Sequence, residues 1–512
     1  MLAGEILRLG ARRHPRKTAL ICGERRVTYG ALDALSNRIA NALLARGIAK
    51  GQTIAAMSRN LPDYVALHFA SARIGSLLVN MMPAYAPDET AAILNHTAAR
   101  LILVEAEYQD KVAVVRDRCP HLRDVVTIGE AGIGGAVPLD RVIAGAMETH
   151  PAIALSADDP YAMTFTGGTT GRPKGALVSH RARFVSSWTT ALEHEVSSAD
   201  TVGVLTPLYH AMGMTIWFQA AMLAGATAVL LTGWDPDRFA EETARHGITN
   251  ALMVPVQLRE LLSERHFDPR ALASLKKLGC GGAITTAELV DEVNARLPNA
   301  LFTNHYGQSE TGPLCLFKHH HPRARAGTIG QPAAGVELRV VDPEGNEVAP
   351  GTVGEIATRG PYMMAGYYRD PEETATYFRG GDGWGWTGDL ATVDDEGFVT
   401  LVGRSKDMIV TGGINVYPRE VELVLERHDA VAECTVFGVP DAKWGEALVA
   451  YVVCENGART TETELVHFCE QHLARFKRPR YVRFVDAIPK TPSGKIQKPK
   501  LREAFLRNAG NG

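Results

Sequence analysis

Residues 165–175 read Phe-Thr-Gly-Gly-Thr-Thr-Gly-Arg-Pro-Lys-Gly, and this string indicates how the first half of the chain folds. Strand-forming residues flank it at Pro160–Phe165 and Ala176–Val178, so we expect two strands joined by a glycine loop. Glycines let backbone N–H groups approach phosphate oxygens, and the threonine hydroxyls and Lys174 add donors and charge. The loop differs from a Walker A loop, in which the lysine directly follows a glycine. It favours a polyphosphate site, with a flexible surface loop as the alternative.

Short apolar runs alternate with helical patterns upstream and downstream of this loop. In the first helical pattern, Thr28 suits an N-cap and Gly47 suits a C-terminal cap glycine. The runs that we predict as strands are Thr53–Met57, Leu77–Asn80, Leu101–Glu105, Val125–Ile128, Thr201–Thr206, Ala228–Thr232, Ala251–Pro255 and Leu301–Thr303. Strands that alternate with helices are typical of parallel sheets with helices on their faces. The N-terminal part of the chain is therefore predicted to be α/β.

The pattern changes near residue 335. The apolar runs Val336–Val341 and Glu355–Arg359 are separated by a turn-rich Asp-Pro-Glu-Gly-Asn segment, which favours a small antiparallel unit. Beyond it we predict a separate α+β domain, with strands near Glu433–Val439 and Leu448–Val453 and a helix near Glu462–Leu473. The predicted domains are residues 1–404 and residues 405–512.

Composition limits the classes of function. A net charge of −3 over 512 residues gives no reason to expect nucleic acid or an anionic membrane as a partner. The apolar stretch Leu61–Met82 is interrupted by charged residues, so we expect no transmembrane segment there. The charge at Glu5 comes too early for a signal peptide. The seven cysteines are scattered without a metal-type Cys-x-x-Cys pair, which is typical of reduced thiols in a cytoplasmic protein.

Two acidic residues follow predicted strands and could bind parts of a nucleotide. Glu310 lies just after a strand that we expect to end at Asn304, with a turn at Gly307. A carboxylate there suits Mg²⁺, which usually takes one or two protein carboxylates plus phosphate oxygens. Asp389 lies in a Trp-Thr-Gly-Asp string and could accept both ribose hydroxyls, as acidic residues do in dinucleotide sites. Taken alone, each is better explained as an ordinary turn or cap residue.

Two C-terminal segments suit a moving part of the molecule. Residues 404–415 combine charged residues with paired glycines, which suits a hinge that absorbs large backbone changes. Lys495 follows a Ser-Gly pair, so it has local freedom and carries a point charge for a developing negative phosphate. The alternatives are an ordinary linker and a solvated lysine in a basic tail.

These strings, in this order, resemble the AMP-forming acyl-CoA synthetases, which belong to a superfamily of adenylate-forming ligases with nonribosomal-peptide adenylation domains and luciferases. The likeness extends from about Thr28 to Leu501, and its specific segments are Thr166–Gly175, Tyr306–Thr311, Thr387–Asp389, Gly403–Tyr417 and Pro492–Ile496. The resemblance implies a large N-terminal domain of two helix-covered sheets plus a distorted β-barrel. A small, mobile α+β C-terminal domain would carry the catalytic lysine.

The resemblance also implies a reaction in two halves. A carboxylate attacks the α-phosphate of ATP bound with Mg²⁺, giving acyl-AMP and pyrophosphate. After the C-terminal domain has rotated, the thiolate of coenzyme A attacks the acyl group and AMP leaves. The expected partners are therefore a small carboxylic acid, ATP and CoA, and the enzyme could be a homodimer.

Each role in this reaction falls on residues that match the family motifs. Phosphate contacts would come from Thr166, Gly167, Gly168, Thr169, Thr170, Gly171 and Lys174. The walls around the adenine would comprise Gly281, Gly282, Ala283 and Tyr306, and Gly307 and Ser309 would be further cofactor-binding residues. The remaining matches are Asp389 and Arg404 to the ribose contacts, Glu310 to the Mg²⁺ ligand, Lys406 to the hinge, Gly412 and Gly413 to the pantetheine tunnel, and Lys495 to the lysine that bridges carboxylate and α-phosphate.

The acyl pocket is expected beside His210, which matches an aromatic gate in the family and is otherwise a packed core histidine. The other residues expected to line the pocket are Tyr209, Ala211, Met212, Gly213, Met214, Trp217, Thr311 and Gly312. Residues 211–218 are apolar and offer no obvious charge for a second carboxylate. This disfavours dicarboxylic acids and amino acids and favours an aliphatic or aryl acid.

The chain departs from the family pattern at one position, and two other functions are alternatives to an acyl-CoA ligase. The family usually has Ser or Thr where Gly167 stands, so we expect weaker contacts to pyrophosphate. An enzyme that loads a carrier protein would share every motif up to the acceptor, and independence from CoA would reveal it. A non-catalytic ligand-binding relative is disfavoured because Lys495, Glu310 and Asp389 are all present.

Overall fold

The computed structural model describes residues 1–166, 174–455, 457–490 and 496–509. The chain forms two compact units, each made of two separate stretches of sequence. The first unit contains Met1–Glu337 and Arg359–Gly385, and the second contains Leu338–Thr358 and Trp386–Gly512. The architecture is mixed α/β, with a large N-terminal part built on two sheets and a smaller C-terminal part.

The first unit contains a nine-stranded sheet whose interior strands are parallel and whose edges are antiparallel. In spatial order its strands are Gln331–Pro332, Gly312–Lys318, Leu301–Gln308, Lys277–Gly281, Asn250–Met253, Thr201–Val204, Thr227–Leu230, Thr18–Cys22 and Arg25–Thr28. The parallel interior strands are buried and apolar, as expected of a sheet covered on both faces.

An eight-stranded sheet in the same unit carries the glycine-loop segment. In spatial order its strands are Gly366–Tyr367, Lys174–Ser179, Pro160–Thr166, Leu77–Met81, Thr53–Met57, Leu101–Glu105, Asp124–Ile128 and Ala136–Pro138. The strands Pro160–Thr166 and Lys174–Ser179 pair in antiparallel fashion, with Thr166 opposite Lys174. The two strands predicted around the loop are therefore confirmed.

Helices pack around both sheets of the first unit. Their bounds are Ala3–Arg13, Tyr29–Ala45, Pro62–Ile74, Pro87–Thr97, Gln109–Val115, Leu139–Val142, His180–Glu193, Gln219–Ala224, Pro236–His246, Pro255–Leu262, Ala287–Arg296 and Pro371–Tyr377, with a π-helix at Met212–Phe218. The predicted caps are confirmed: the Thr28 hydroxyl accepts a hydrogen bond from the Ala31 N–H at 3.1 Å, and Gly47 has φ +74°. Within the described ranges, no helix combines the length and hydropathy that crossing a membrane requires.

The second unit contains two smaller sheets. One has the strands Glu337–Val341, Gly354–Arg359, Gly385–Val393 and Val399–Arg404. The other has Ile414–Val416, Ile409–Thr411, Gly445–Cys454 and Val431–Asp441, with Tyr481–Phe484 pairing in parallel to Gly445–Cys454. The helices of this unit are Pro418–Leu425, Glu462–His472 and Lys498–Ala509.

One sequence-based expectation, at Gly307, is wrong, and another, the domain boundary, stays a prediction. The strand expected to end at Asn304 continues to Gln308, so the expected turn at Gly307 is wrong. Gly307 instead lies at a β-bulge, where a Cβ would come within 2.1 Å of the Gly312 carbonyl oxygen. The boundary at residue 404 stays a prediction about moving parts, because residues 386–404 belong to the same compact unit as the C-terminal sheet. All seven cysteines are free thiols, as expected.

Candidate active site

Glu310 lies in the turn Ser309–Thr311, which joins the strands Leu301–Gln308 and Gly312–Lys318. Only 8% of this residue is exposed. Its Oε1 accepts a hydrogen bond from the Tyr367 hydroxyl at 2.9 Å. A buried carboxylate needs such partners, because burying an ionised group without them is costly.

Lys174, which we expect to contact phosphate, belongs to the same cluster of side chains. The Lys174 ammonium lies 2.5 Å from a carboxylate oxygen of Glu373 and 5.6 Å from the centre of the Tyr367 ring. Tyr367 therefore contacts Lys174 with its ring and Glu310 with its hydroxyl. The structure brings together two of the motifs that the sequence suggested for phosphate and metal binding.

Some predicted site residues lie outside the described residues. These are Gly167, Gly168, Thr169, Thr170, Gly171 and Lys495. Thr166 is described only through its backbone, which ends the strand before the loop. Their assigned roles stay predictions.

Groups outside the turn Ser309–Thr311 contact the carbonyl oxygens of its three residues. The Arg183 guanidinium donates to the Ser309 carbonyl, and the Met364 N–H donates to the Glu310 carbonyl at 2.6 Å. The Ser186 hydroxyl lies within hydrogen-bond distance of the Thr311 carbonyl, at 3.2 Å. The same hydroxyl lies closer to the Ala182 carbonyl, at 2.9 Å, so the carbonyls of Ser309 and Glu310 are the two with their own donors outside the turn.

Arg183 is a residue of this site that the sequence did not suggest. It lies on the helix His180–Glu193 and is fully buried. Burial lowers the pKa of its guanidinium to about 10, although Tyr161 and Glu310 favour the charged form. An arginine on a helix is ordinarily a surface residue, and its partner Ser309 is 126 positions away. No local signal in the sequence could have found it.

The residues expected around the adenine lie at the end of a parallel strand. Gly281 ends the strand Lys277–Gly281, where a Cβ would come within 2.6 Å of the His305 carbonyl oxygen. Gly282 has φ +82°, and a Cβ there would lie 3.6 Å from the Met212 sulfur. Ala283 is exposed and Tyr306 is half-buried. The segment expected at the adenine therefore adjoins the segment expected at the acyl group.

The acyl segment forms the π-helix Met212–Phe218, which follows directly on His210 and Ala211. Gly213 allows this helix to approach the chain closely, since a Cβ would come within 2.2 Å of the Pro207 carbonyl oxygen. Met214 and Trp217 are fully buried, and the Trp217 indole donates to the Gly203 carbonyl at 3.0 Å.

Two aromatic residues precede this helix. His210 is half-buried, and its ring lies 4.8 Å from that of Tyr209. Burial raises the pKa of the Tyr209 hydroxyl to about 12, so it is neutral and can donate a hydrogen bond at physiological pH. Thr311 and Gly312, also assigned to the acyl pocket, are buried in the hairpin.

In the second unit, Asp389 and Arg404 are cross-strand neighbours of one antiparallel pair. Arg404 Nε donates to Asp389 Oδ1 at 2.7 Å. The residue Asp389 is 9% exposed, whereas 44% of the Arg404 side chain is exposed. The two residues expected to contact the ribose therefore lie together, and the ribose contact itself stays a prediction.

The remaining predicted residues lie in turns of the second unit. Lys406 is in the short 3₁₀ turn Ser405–Asp407. Gly412 and Gly413 have φ +59° and +78° and form the turn of a hairpin. The Gly412 N–H donates to the Trp444 carbonyl at 2.7 Å. The positive φ angles explain why glycines stand there.

The surroundings of Glu310 fit a magnesium ion that is bound partly by substrate phosphates. Among the residues that the structure describes, no group of three or more His, Cys, Asp or Glu side chains could hold a metal ion. Mg²⁺ commonly binds through one or two carboxylates together with substrate phosphates. The carboxylate of Glu310 therefore fits an ion that arrives with a nucleotide.

Two family comparisons cover most of the chain. Residues 7–368 match the AMP-binding enzyme family, and residues 420–495 match the AMP-binding enzyme C-terminal domain. Indoleacetate–CoA ligase from Aromatoleum aromaticum is 32% identical over 496 residues, which are 96% of each chain. The fatty acid–[acyl-carrier-protein] ligase ScoC from Streptomyces coeruleorubidus is 33% identical over 506 residues, with 97% of this chain and 95% of that protein covered.

Comparison of the fold with solved structures also finds similar proteins. The crystal structure of ATP-bound MatB from Rhodopseudomonas palustris has a TM-score of 0.90 and 32% identity, and 99% of each chain is covered. With family matches in both its N-terminal and C-terminal parts, this chain belongs to the AMP-binding enzyme family and is related to the acyl-CoA ligases.

Proposed function

We propose that the chain is an ATP-dependent acid–thiol ligase, which forms an acyl-AMP and then an acyl-CoA. The observation that carries this proposal is the cluster in which Tyr367 contacts both Lys174 and Glu310. The cluster places a cation from the loop segment near a carboxylate that suits a nucleotide-bound metal ion. ATP-bound MatB, which shares the fold, supports ATP as the nucleotide.

In the first half-reaction, the acid carboxylate displaces pyrophosphate from the α-phosphate of ATP. The loop at residues 166–174 binds the leaving phosphates through backbone N–H groups and Lys174. Glu310 would hold Mg²⁺, which neutralises phosphate charge when bound. Asp389 accepts hydrogen bonds from the ribose hydroxyls, with Arg404 fixing its carboxylate. Lys495 stabilises the negative charge that develops between the carboxylate and the α-phosphate.

In the second half-reaction, a thiolate attacks the acyl carbon and AMP leaves with the bonding electrons of the acyl–oxygen bond. The turn at Gly412 and Gly413 would line the path of the pantetheine arm, and Lys406 would act at the hinge. CoA is the proposed acceptor, because CoA ligases are prominent among the relatives. A carrier protein is the second candidate, since the relative ScoC is named as an acyl-carrier-protein ligase.

The acid is proposed to be aliphatic or aryl. The π-helix Met212–Phe218 supplies apolar side chains, and its neighbour Gly282 leaves room beside Met212. Relatives are named for an aryl acid, indoleacetate, and for fatty acids.

The test is pyrophosphate release from ATP and Mg²⁺ across a panel of short aliphatic, long-chain and aryl acids, each with and without CoA. Sustained release that needs one acid class and CoA is the expected result. A single turnover without CoA dependence would favour a carrier protein as acceptor. Silence of the folded protein with every acid, while Glu310→Gln behaves identically, would contradict the proposed activity.

A further inference from the structure

The helix His180–Glu193 places Arg183 and Ser186 on one face, because residues three apart are neighbours on a helix. Both side chains reach the turn that carries Glu310. Arg183 Nη2 donates to the Ser309 carbonyl, and the Ser186 hydroxyl lies 3.2 Å from the Thr311 carbonyl. The carbonyl between them, that of Glu310, is bound instead by the backbone of Met364.

The hairpin closes directly on this helix face. Gly312 has φ +83°, and a Cβ there would lie 2.5 Å from the Ser186 oxygen and 3.3 Å from Arg183 Nη1. A larger residue at Gly312 would therefore separate the turn from Arg183. The close approach and the hydrogen bond to Ser309 together fix where the turn lies.

Burying Arg183 is energetically unfavourable, because a charge leaves water only at a large desolvation cost. Its Nε and Nη1 atoms have no hydrogen-bond partner among the described residues. The neighbouring carboxylate of Glu310 is the acidic group whose charge favours the guanidinium form. Replacing a buried charge by an apolar side chain of similar size is often neutral or stabilising, so stability alone gives little reason for an arginine here.

We propose that Arg183 is a positioning residue for nucleotide activation: it fixes the Ser309–Thr311 turn and so holds the Glu310 carboxylate where the magnesium ion of ATP binds. This inference rests on the proposed function. Arg183 acts through the turn, because its hydrogen bond is made to the Ser309 carbonyl.

The experiment measures the dissociation constant of α,β-methylene-ATP by calorimetry, with Mg²⁺ and with a chelator. The ratio of the two values is the magnesium enhancement, and it requires neither an acid nor turnover. The variants are Arg183→Met, which removes charge and donors, Arg183→Lys, which keeps the charge, and Arg181→Met. Arg181 lies on the same helix in an exposed ion pair with Asp158, so Arg181→Met is the matched control.

We expect Arg183→Met to lower the magnesium enhancement about tenfold or more, as for loss of a hydrogen bond to a charged group. Arg183→Lys should restore part of it, and Arg181→Met should leave it unchanged. Binding in chelator should stay the same in all variants, which shows an intact nucleotide site. Should Arg183→Met fail to fold, Arg183→Gln, which is polar but too short to reach the Ser309 carbonyl as Nη2 does, is the second variant, with an expected loss of about threefold or more.

Full magnesium enhancement in a folded Arg183→Met or Arg183→Gln variant would overturn the inference. Equal weakening with Mg²⁺ and with chelator would also overturn it, because the role would then be merely structural. A wild-type protein that binds the analogue without any magnesium enhancement would instead count against the proposed function, before any variant is compared.

Discussion

The hydroxyl of Tyr367 donates a hydrogen bond of 2.9 Å to Oε1 of Glu310. Tyr367 comes from a two-residue edge strand of the eight-stranded sheet, and Glu310 comes from a hairpin of the nine-stranded sheet. The bond therefore joins the edges of the two sheets of the first unit. It also leaves Oε2 as the second oxygen that a metal ion could use.

Tyr367→Phe should slow acyl-AMP formation about tenfold, because a hydrogen bond to a charged group contributes about 1.5–3 kcal/mol. Thioester formation from supplied acyl-AMP and CoA should keep its rate. Tyr29→Phe is the control, since the Tyr29 hydroxyl donates to the Ala226 carbonyl at 2.6 Å, apart from this cluster. Rapid-quench assays of each half-reaction make the measurement, and equal slowing of both halves by Tyr367→Phe would contradict the assignment.

Lys495→Ala should reduce acyl-AMP formation about a hundredfold or more, as expected when about 3 kcal/mol of transition-state stabilisation is lost. It should leave the conversion of supplied acyl-AMP to acyl-CoA nearly unchanged. Lys490→Ala is the matched control, because Lys490 pairs with Glu433 at 2.8 Å and is not assigned to the reaction. If Lys495→Ala slows both halves to the same extent, the lysine has no role specific to adenylation.

Asp389→Asn should weaken AMP binding about tenfold to a hundredfold, because it removes a charged acceptor of ribose hydroxyls. The sharper test uses 2′-deoxy-AMP, which wild type should bind less tightly than AMP. The variant should discriminate less between the two nucleotides. Asp394→Asn is the control, since Asp394 caps a turn of the same sheet through the Phe398 N–H at 2.9 Å. Undiminished discrimination in Asp389→Asn would exclude the ribose contact.

The free energy of unfolding should fall as pH drops from about 6.5 towards 4. Burial lowers the pKa of His68 to about 4, despite its interaction with Gln219, whereas an exposed histidine titrates near ~6.5. Between these values the unfolded chain binds a proton that the folded chain lacks, so stability is lost on acidification. Other buried histidines with lowered pKa values, including His180 and His305, act in the same direction.

Urea unfolding at several pH values measures this dependence. His68→Gln should reduce the slope by up to about 1.4 kcal/mol per pH unit, which corresponds to one proton. A slope that is the same in His68→Gln and wild type would show that His68 does not contribute.

The sequence predicts the buried strands well because their signal is local. Thr53–Met57 and Leu101–Glu105 have the predicted bounds, since each is a short apolar run between helical patterns. The strand through Gly307 was mispredicted because a glycine indicates a turn as readily as a close approach of two strands. The nearby Gly312 carbonyl, on the partner strand of the hairpin, decides between these two uses.

Some residues of the candidate site can likewise be predicted from local sequence, and others cannot. Glu310, Asp389 and Lys174 belong to strings that identify a family, so they could be assigned without coordinates. Arg183 belongs to no such string, and its hydrogen bond to Ser309 exists only after a helix and a hairpin have packed together. Residues proposed to position a site without belonging to its motifs are therefore the ones that a sequence pattern does not indicate.

The π-helix Met212–Phe218 bears on how the acid preference of such an enzyme can change. A π-helical turn is wider than an α-helical turn, with hydrogen bonds from residue i to i+5 rather than to i+4. Because a π-turn holds one more residue than an α-turn, deletion of one residue within the segment would return it to α-helix while the helix Gln219–Ala224 beyond it kept its orientation. A single-codon deletion could thus replace a wide turn by a narrower one within the segment proposed to line the acyl pocket and leave the following helix in register, whereas a point substitution alters one side chain.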